Sequence, residues 1–449
     1  MAPLTVLLAS TPVSAHTLNL LPIAHRLVSR GHRVLWYAAS RFHDRISGVG
    51  AEPYPFVTAT EFSDLDAGYG GAGSPGAIAG LRRGFAMHLV GDVGRRVRDL
   101  EALAARVEVD VVLTDGMFVA ARLWHERGGP VWASVGDGPL TYADADTPPY
   151  GAGLLPMSGR EGRRRNRVTT RVGRELIWGP ALDRLGAIRC ELGLVQSGRS
   201  VLSEARSPYL HLQACVPAFE YPRHRLPPSV RFVGALRSAP APDWSPPPWW
   251  PQCLADPRPR VLISQGTLRP DLRELVLPTV RALAGEELQL LVTTGAAPAD
   301  SLRQALGGAL PEGVRVASWL PYEQVLPEMA AFVTNGGYTG VTLALAHGVP
   351  LVQVGSSEEK AEIGARIAWS GVGVRSRWRP PRPWLRHQVR RVLTDPEIWS
   401  AVARMREELD RHDAATECAE LLEQLAGQNT HSQDGGRALT GADTREPWA

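Results

Sequence analysis

Leu4-Thr5-Val6-Leu7-Leu8-Ala9-Ser10 is a short apolar run rich in branched residues, and it ends at the breaker Thr11-Pro12. Leu18, Leu21, Ile23, Ala24 and Leu27 then recur at helical spacing, up to a stop at Gly31. Arg33-Val34-Leu35-Trp36-Tyr37-Ala38 is a second strand. Strand, helix and strand within about forty residues make a βαβ unit, and such units imply a parallel sheet.

The pattern repeats outward from there. Asp110 to Thr114 and Pro130 to Val135 read as strands, with a helix around Phe118 to Arg127 between them. Ala67 to Gly80 is Gly-rich and reads as a mobile loop, and Gly153 to Arg174 is arginine-rich, with helix resuming beyond it. Ser238 to Gln252 is too Pro-dense for regular helix and reads as a semi-rigid linker. The alternation then restarts: strand Arg260 to Gln265, helix Asp271 to Ala284, and strands Leu288 to Thr293, Val314 to Ala317, Ala331 to Thr334 and Leu351 to Val354. The economical reading is two doubly wound, Rossmann-like α/β domains facing across a cleft. Their expected extents are 1–237 and 253–425, with the linker at 238–252 and a polar, Gly-rich, disordered tail at 426–449.

Composition bounds the function classes. A chain of 449 residues exceeds one core and fits two or three domains. Hydrophobic residues at 44% and charged residues at 21% are the balance of a folded protein. A formal net charge of +3 implies no nucleic-acid partner. Among the 49 basic residues the single lysine is Lys360, an arginine bias that fits a GC-rich genome. Four cysteines without CxxC spacing are too sparse for a disulfide framework, and a reducing cytoplasm is the expected location. Met1 to Ser10 has no basic n-region, and no window approaches the roughly 20 apolar residues that span a bilayer. No stable membrane insertion is expected.

In open α/β sheets ligands sit at the carboxyl ends of the strands, so the residues following each strand come first. Phe332-Val333-Thr334-Asn335-Gly336-Gly337-Tyr338-Thr339-Gly340-Val341 runs from strand through two glycines into a helix. Small residues admit a ligand to the backbone, and free N–H groups with the helix dipole favour an anion such as a diphosphate; a tight turn without ligand is the equal alternative. After the first strand of the second half, Ser264-Gln265-Gly266-Thr267 offers a tight turn and a hydroxyl for a phosphate, or a helix N-cap at Thr267. Glu358-Glu359-Lys360, beyond the strand at Leu351 to Val354, offers carboxylates to sugar hydroxyls, or a solvated helix start. Gly71-x-Gly73-x-x-Gly76 follows no strand, and Asp64-x-Asp66 and Asp144-x-Asp146 lie in loops of the first half; none is taken as a site, and no His/Cys cluster has zinc spacing.

Gly266-Thr267, Trp319-Leu320-Pro321 and the block from Val333 to Gly373 resemble the donor-binding half of the family-one, UDP-glycosyltransferase-like enzymes of the GT-B fold. The match runs through Thr334 to Val341, Ala344 to Leu351 and Gly371-Val372-Gly373. His16, Leu21 to Ala24, Gly31 to Val34, Gln213 and Phe232-Val233-Gly234 extend it into the first half. It covers roughly residues 4 to 425 and is strongest to the bacterial natural-product branch.

That resemblance implies an N-terminal acceptor domain and a C-terminal nucleotide-sugar donor domain. It matches His16 to the catalytic base, a role suited to an imidazole that titrates near neutrality beyond the first strand. It matches Asp115 to the acid that orients His16, against the rival role of capping the next helix. It places Gly266, Thr267, Asn335, Gly336, Gly337 and Thr339 at the diphosphate, Trp319 on the base, and Glu359 and Lys360 at the sugar. Three positions depart from the family pattern: Asn335 stands for a histidine, Glu359-Lys360 for Asp-Gln, and Tyr322 for histidine or glutamine. A cation at Lys360 would prefer a sugar carrying a carboxylate, or stay in solvent.

The expected activity is inverting transfer from a UDP- or dTDP-sugar to a hydroxyl of a small hydrophobic natural product. The nucleotide sugar is a co-substrate, with no cofactor and no metal, and the chain is a monomer or homodimer. Two rivals stand: a GT-B nucleotide-sugar epimerase, and a catalytically silent nucleotide-sugar-binding protein. The acceptor pocket is expected in loops including Glu61 to Arg82 and Pro139 to Arg174.

Overall fold

A computed structural model describes residues 2–63, 82, 84–142, 144–238, 244–266, 271–295, 297–355, 359–376 and 379–434. The Gly-rich loop expected at Ala67 to Gly80 and the phosphate-binding role expected of Thr267 fall outside the described residues.

Among the described residues thirteen strands form two sheets, and every pairing is parallel. The first contains β1 (Thr5–Ala9), β2 (Arg33–Tyr37), β3 (Glu52–Tyr54), β4 (Val111–Asp115), β5 (Trp132–Gly136), β6 (Leu210–Gln213) and β7 (Val230–Phe232), in the order β3-β2-β1-β4-β5-β6-β7. The second contains β8 (Arg260–Ser264), β9 (Gln289–Thr293), β10 (Val314–Ala317), β11 (Ala331–Thr334), β12 (Leu351–Val354) and β13 (Gly373–Ser376), in the order β10-β9-β8-β11-β12-β13. Both are doubly wound, and each reverses direction once: between β1 and β4, and between β8 and β11. Crevices open beyond the strand ends at such reversals.

The apolar runs become strands because helices cover both faces, so a strand can be buried throughout. In β1, Val6, Leu7, Leu8 and Ala9 are all fully buried. Alternate residues divide between two cores. Leu7, Ala9, Leu35, Tyr37 and Val112 face one cluster, and Val6, Leu8, Val34, Trp36 and Leu113 face another that continues into the second lobe.

α1 (Ser14–Leu18) follows β1 and is succeeded by α2 (Leu21–Ser29). Further on, α3 (Gly159–Gly173) occupies the stretch expected to be an arginine-rich loop; its arginines lie on the outside and only Gly162 and Asn166 are buried. α4 (Tyr338–Ala346) follows β11, and α5 (Lys360–Ser370) follows β12. Helices α1, α4 and α5 position the site.

The expected tail begins differently. α6 (Ala414–Asp434) carries helix past residue 426, and its Cys418, Ala419 and Leu422 are fully buried in the core shared with the first sheet. Glu423 on this helix accepts hydrogen bonds from Arg30 Nε (2.6 Å) and a second Arg30 nitrogen (2.9 Å), and meets His32 Nε2 at 2.8 Å. α6 therefore packs against the lobe that contains β1. Buried apolar spacing at Cys418, Leu422 and Leu425 outweighs the polar composition around it. Among the described residues no helix is long and apolar enough to cross a membrane.

Candidate active site

The turn after β1 delivers His16 on α1, one-quarter exposed, to the reversal point of the first sheet. Its Nδ1 lies 2.5 Å from Asp137 Oδ2, just past β5, and 3.6 Å from Asp115 Oδ1 at the end of β4. The direct partner is thus Asp137 and not the expected Asp115. Asp115 is fully buried and accepts from Thr11 N (2.6 Å), Thr11 Oγ1 (3.2 Å) and Met117 N (2.8 Å). It braces the turn that carries His16 and closes a local turn at Met117, while the next helix, Ala120–Glu126, takes no side-chain cap from it. Sequence reasoning does not reach Asp137; its position one residue past the buried strand β5 is the signal that could have found it.

Burial alone would depress the imidazole. Asp137, by charge and by hydrogen bond, then Asp115 and Glu359, outweigh it and raise His16 from 6.5 to about 10. Burial pushes the Asp115 carboxyl up, with His16 pulling it back. Nε2 of His16 has no hydrogen bond among the described residues and is the nitrogen free for a ligand.

The second lobe presents the head of α4. Its N-cap is Gly337, and no side chain caps it, so its first N–H groups have no intrahelical partner. Gly336 has φ +92°, and an added Cβ would sit 2.9 Å from Gln353 Cγ. Only glycine makes this turn without strain. Gln353 Nε2 fastens the loops on either side by donating to Asn335 O (3.0 Å) and Gly355 O (2.9 Å).

Other expected residues are placed differently. Asn335 Nδ2 donates to the Gln265 carbonyl, tying the loops after β8 and β11 beside Gly266, so that N–H is not offered to a phosphate. Thr339 Oγ1 donates to Asn19 Oδ1 at 2.8 Å, across the lobes. What Thr339 offers an anion in this arrangement is its backbone N–H. Trp319 stands on the rim, 56% exposed, as a free aromatic face. Tyr322 donates to Ser264 Oγ (3.0 Å) and packs edge-on to Phe332, filling space beneath α4. Glu359 caps α5 and lies within electrostatic reach of His16. Lys360 is buried and engaged within the protein, so it does not stay in solvent.

The lobes meet through two sets of buried contacts, of which only Gln213 and Tyr338 stand out in the sequence. Gln213 Nε2 donates to Tyr338 Oη at 2.8 Å, anchoring the head of α4. Arg366 of α5 donates to Glu220 Oε2 (2.8 Å) and Glu362 Oε2 (2.9 Å), all three side chains being at most 2% exposed. Glu362 Oε1 accepts from Gly151 N (3.1 Å) and Gly153 N (2.5 Å).

The Thr339–Asn19 bond and the electrostatic reach of Glu359 to His16 therefore bring His16, the head of α4 and Glu359 together where the two doubly wound sheets face each other. Comparison with known proteins agrees. A family model described as "Erythromycin biosynthesis protein CIII-like, C-terminal domain" matches residues 296–425. The chain is 37% identical over 425 residues to 4'-demethylrebeccamycin synthase of Lentzea aerocolonigenes, covering 94% of this chain and 99% of that one. It is 29% identical over 443 residues to UDP-glycosyltransferase 2 of Phaeomoniella chlamydospora, covering 94% and 95%. Among solved structures, the calicheamicin glycosyltransferase CalG4 shares the fold with a TM-score of 0.72 at 21% identity, over 95% and 99% of the two chains. The glycosyltransferase VinC, solved with DTDP, shares it at 0.66 and 22% identity, over 94% and 100%. The chain belongs to the family-one, UDP-glycosyltransferase-like GT-B glycosyltransferases, in their natural-product branch. It is accordingly a transferase of the natural-product type that uses nucleotide sugars.

Proposed function

We propose that the chain is an inverting, metal-independent hexosyltransferase that moves a sugar from UDP or dTDP to a hydroxyl of a small hydrophobic natural product. His16 is the general base. The observation that carries this reading is the 2.8 Å hydrogen bond from Thr339 to Asn19, which fastens the head of α4 to the helix holding His16.

Nε2 of His16 takes the proton from the acceptor hydroxyl as that oxygen attacks the anomeric carbon. The bond from that carbon to the diphosphate oxygen breaks on the opposite face, so configuration inverts. The departing diphosphate keeps the electron pair and is met by N–H groups at Gly337, Tyr338 and Thr339 and by the dipole of α4. Asp137 and Asp115 stabilise the imidazolium that forms. Trp319 stacks on the base, and Glu359 accepts from sugar hydroxyls.

His16, Asp115 and Asp137 also bring three possible metal-ligand atoms within 4.8 Å of one another. The Asp115 oxygens already accept three hydrogen bonds and His16 Nδ1 is held by Asp137, so these donors are committed within the protein. The proposed reaction assigns them no ion.

The test is transfer from UDP- and dTDP-sugars to a panel of hydroxylated aromatic acceptors, with and without chelator. His16→Ala should lose about 10²–10⁴-fold in rate while still binding nucleotide. Full activity in His16→Ala, or a requirement for divalent ion, refutes this reading.

A further inference from the structure

Tyr150 belongs to the first lobe, yet its neighbours belong to the second. Gly151 N and Gly153 N both donate to Glu362 Oε1, and Arg375 donates to the Gly153 carbonyl at 2.9 Å. Gly153 has φ +57°, and a Cβ there would lie 2.7 Å from the Cβ of Ala361, so backbone rests directly on α5. Three hydrogen bonds and a close backbone approach thus clamp residues 151–153 to the first turn of α5 and to β13. Glu362 and Glu359 are three residues apart at the start of α5, so whatever Glu362 holds stands beside Glu359.

Tyr150 lies within electrostatic reach of Glu359 and Glu362 on the donor side and of Asp137, the partner of His16, on the acceptor side. Its hydroxyl makes no hydrogen bond among the described residues. Burial and the three carboxylates push the phenol well above its ordinary value, against a smaller pull from Arg366, so it remains a proton donor at every working pH. Glu359, within its electrostatic reach, takes hydrogen bonds from hydroxyls and cannot give one. A hexosyl group carries oxygens that also need a donor.

We propose that Tyr150 is the first lobe's contact with the transferred sugar, donating a hydrogen bond to an oxygen of the nucleotide-bound hexosyl group opposite Glu359. Glu362 is its positioning residue, holding the loop in place from α5. This rests on the glycosyl-transfer reading above. It goes beyond it by making sugar recognition a property of the closed pair of lobes: the second lobe alone binds the nucleotide, and the sugar gains its extra contact only from the first.

The experiment compares sugar nucleotide with free nucleotide, using UDP-glucose against UDP, dTDP-glucose against dTDP, and dTDP-rhamnose against dTDP, by calorimetric titration. Tyr150→Phe removes one oxygen and keeps the ring, and a thermal melt confirms its fold. In Tyr150→Phe the ratio of sugar-nucleotide to nucleotide affinity should fall about tenfold for at least one pair, with UDP and dTDP binding unchanged. Glu362→Ala should lower the same ratio. An unchanged ratio in every pair, or equal loss for nucleotide and sugar nucleotide, overturns the assignment of Tyr150. If wild-type chain binds neither UDP nor dTDP, the glycosyl-transfer reading fails first.

Discussion

Asn19 Oδ1 accepts a 2.8 Å hydrogen bond from Thr339 Oγ1, and this bond joins the helix of the proposed base to the helix of the proposed diphosphate site. Asn19 is the residue at which α1 ends, three positions after His16. Thr339→Val should lower kcat by roughly tenfold, the scale of one lost hydrogen bond at the crevice. Thr339→Ser should restore it. Asn19→Ala should lower kcat similarly while leaving nucleotide affinity unchanged, because its contact is with the protein and not the donor. Equal loss of nucleotide binding in Asn19→Ala would contradict this.

The charge on His16 sets the pH dependence. A base acts only when deprotonated, and its pKa in the empty crevice is about 10. The kcat/KM of the free enzyme should therefore rise with pH through the neutral range toward that value. Asp137→Asn removes the strongest of the raising interactions, so the rising limb should move to lower pH. Stability has the opposite sign. A group whose pKa is raised by folding contributes fully below its unfolded value of 6.5, and the contribution is lost as pH rises through about 10. Wild type should lose thermal stability over that interval more steeply than Asp137→Asn.

Arg366 lies between the buried carboxylates of Glu220 and Glu362. Arg366→Met would leave Glu362 without its cation and Glu220 with Arg223 alone, at 3.4 Å. The expected destabilisation is about 3–5 kcal/mol, measured by urea unfolding. Replacing Arg366, Glu220 and Glu362 together by apolar residues should cost less than the single change, though it would release the Gly151–Gly153 loop.

Glu423 tests the clasp between α6 and the start of the chain. Its hydrogen bond with Arg30, opposed by burial and aided by His32, lowers its carboxyl from 4.5 to about 2. A depressed carboxyl contributes stability above its unfolded value, and that contribution disappears as pH falls from about 4.5 through about 2. Glu423→Gln should melt at a lower temperature than wild type near neutral pH, and the two curves should converge in that acid interval.

The sequence is readable wherever one physical signal suffices. The strands at Thr5–Ala9, Ala331–Thr334 and Leu351–Val354 are apolar because both faces are covered, and apolar runs are visible. β6, β7 and β13 escaped notice because His211, Gln213, Arg231 and Arg375 interrupt them. These interruptions find distant partners, His211 in Ser134 at 2.8 Å and Gln213 in Tyr338 and the Gly138 carbonyl, besides their own 3.3 Å contact. His16 and Asp115 were legible because strand ends at a reversal point are where chemistry collects. Asp137, Asn19, Tyr150 and Glu362 were not, since each acquires meaning from a residue more than a hundred positions away. Hydrophobic periodicity holds no information at that range.

The return of α6 to the opening lobe has a practical corollary for engineering. The first lobe is not a simple prefix of the chain, since α6 packs against it through residues such as Cys418, Leu422 and Glu423. A hybrid that exchanges first lobes between relatives by a single splice in the linker would pair one parent's Arg30 and His32 with the other parent's counterpart of Glu423. Two junctions, one in the linker and one just before Ala414, would carry the whole lobe across intact.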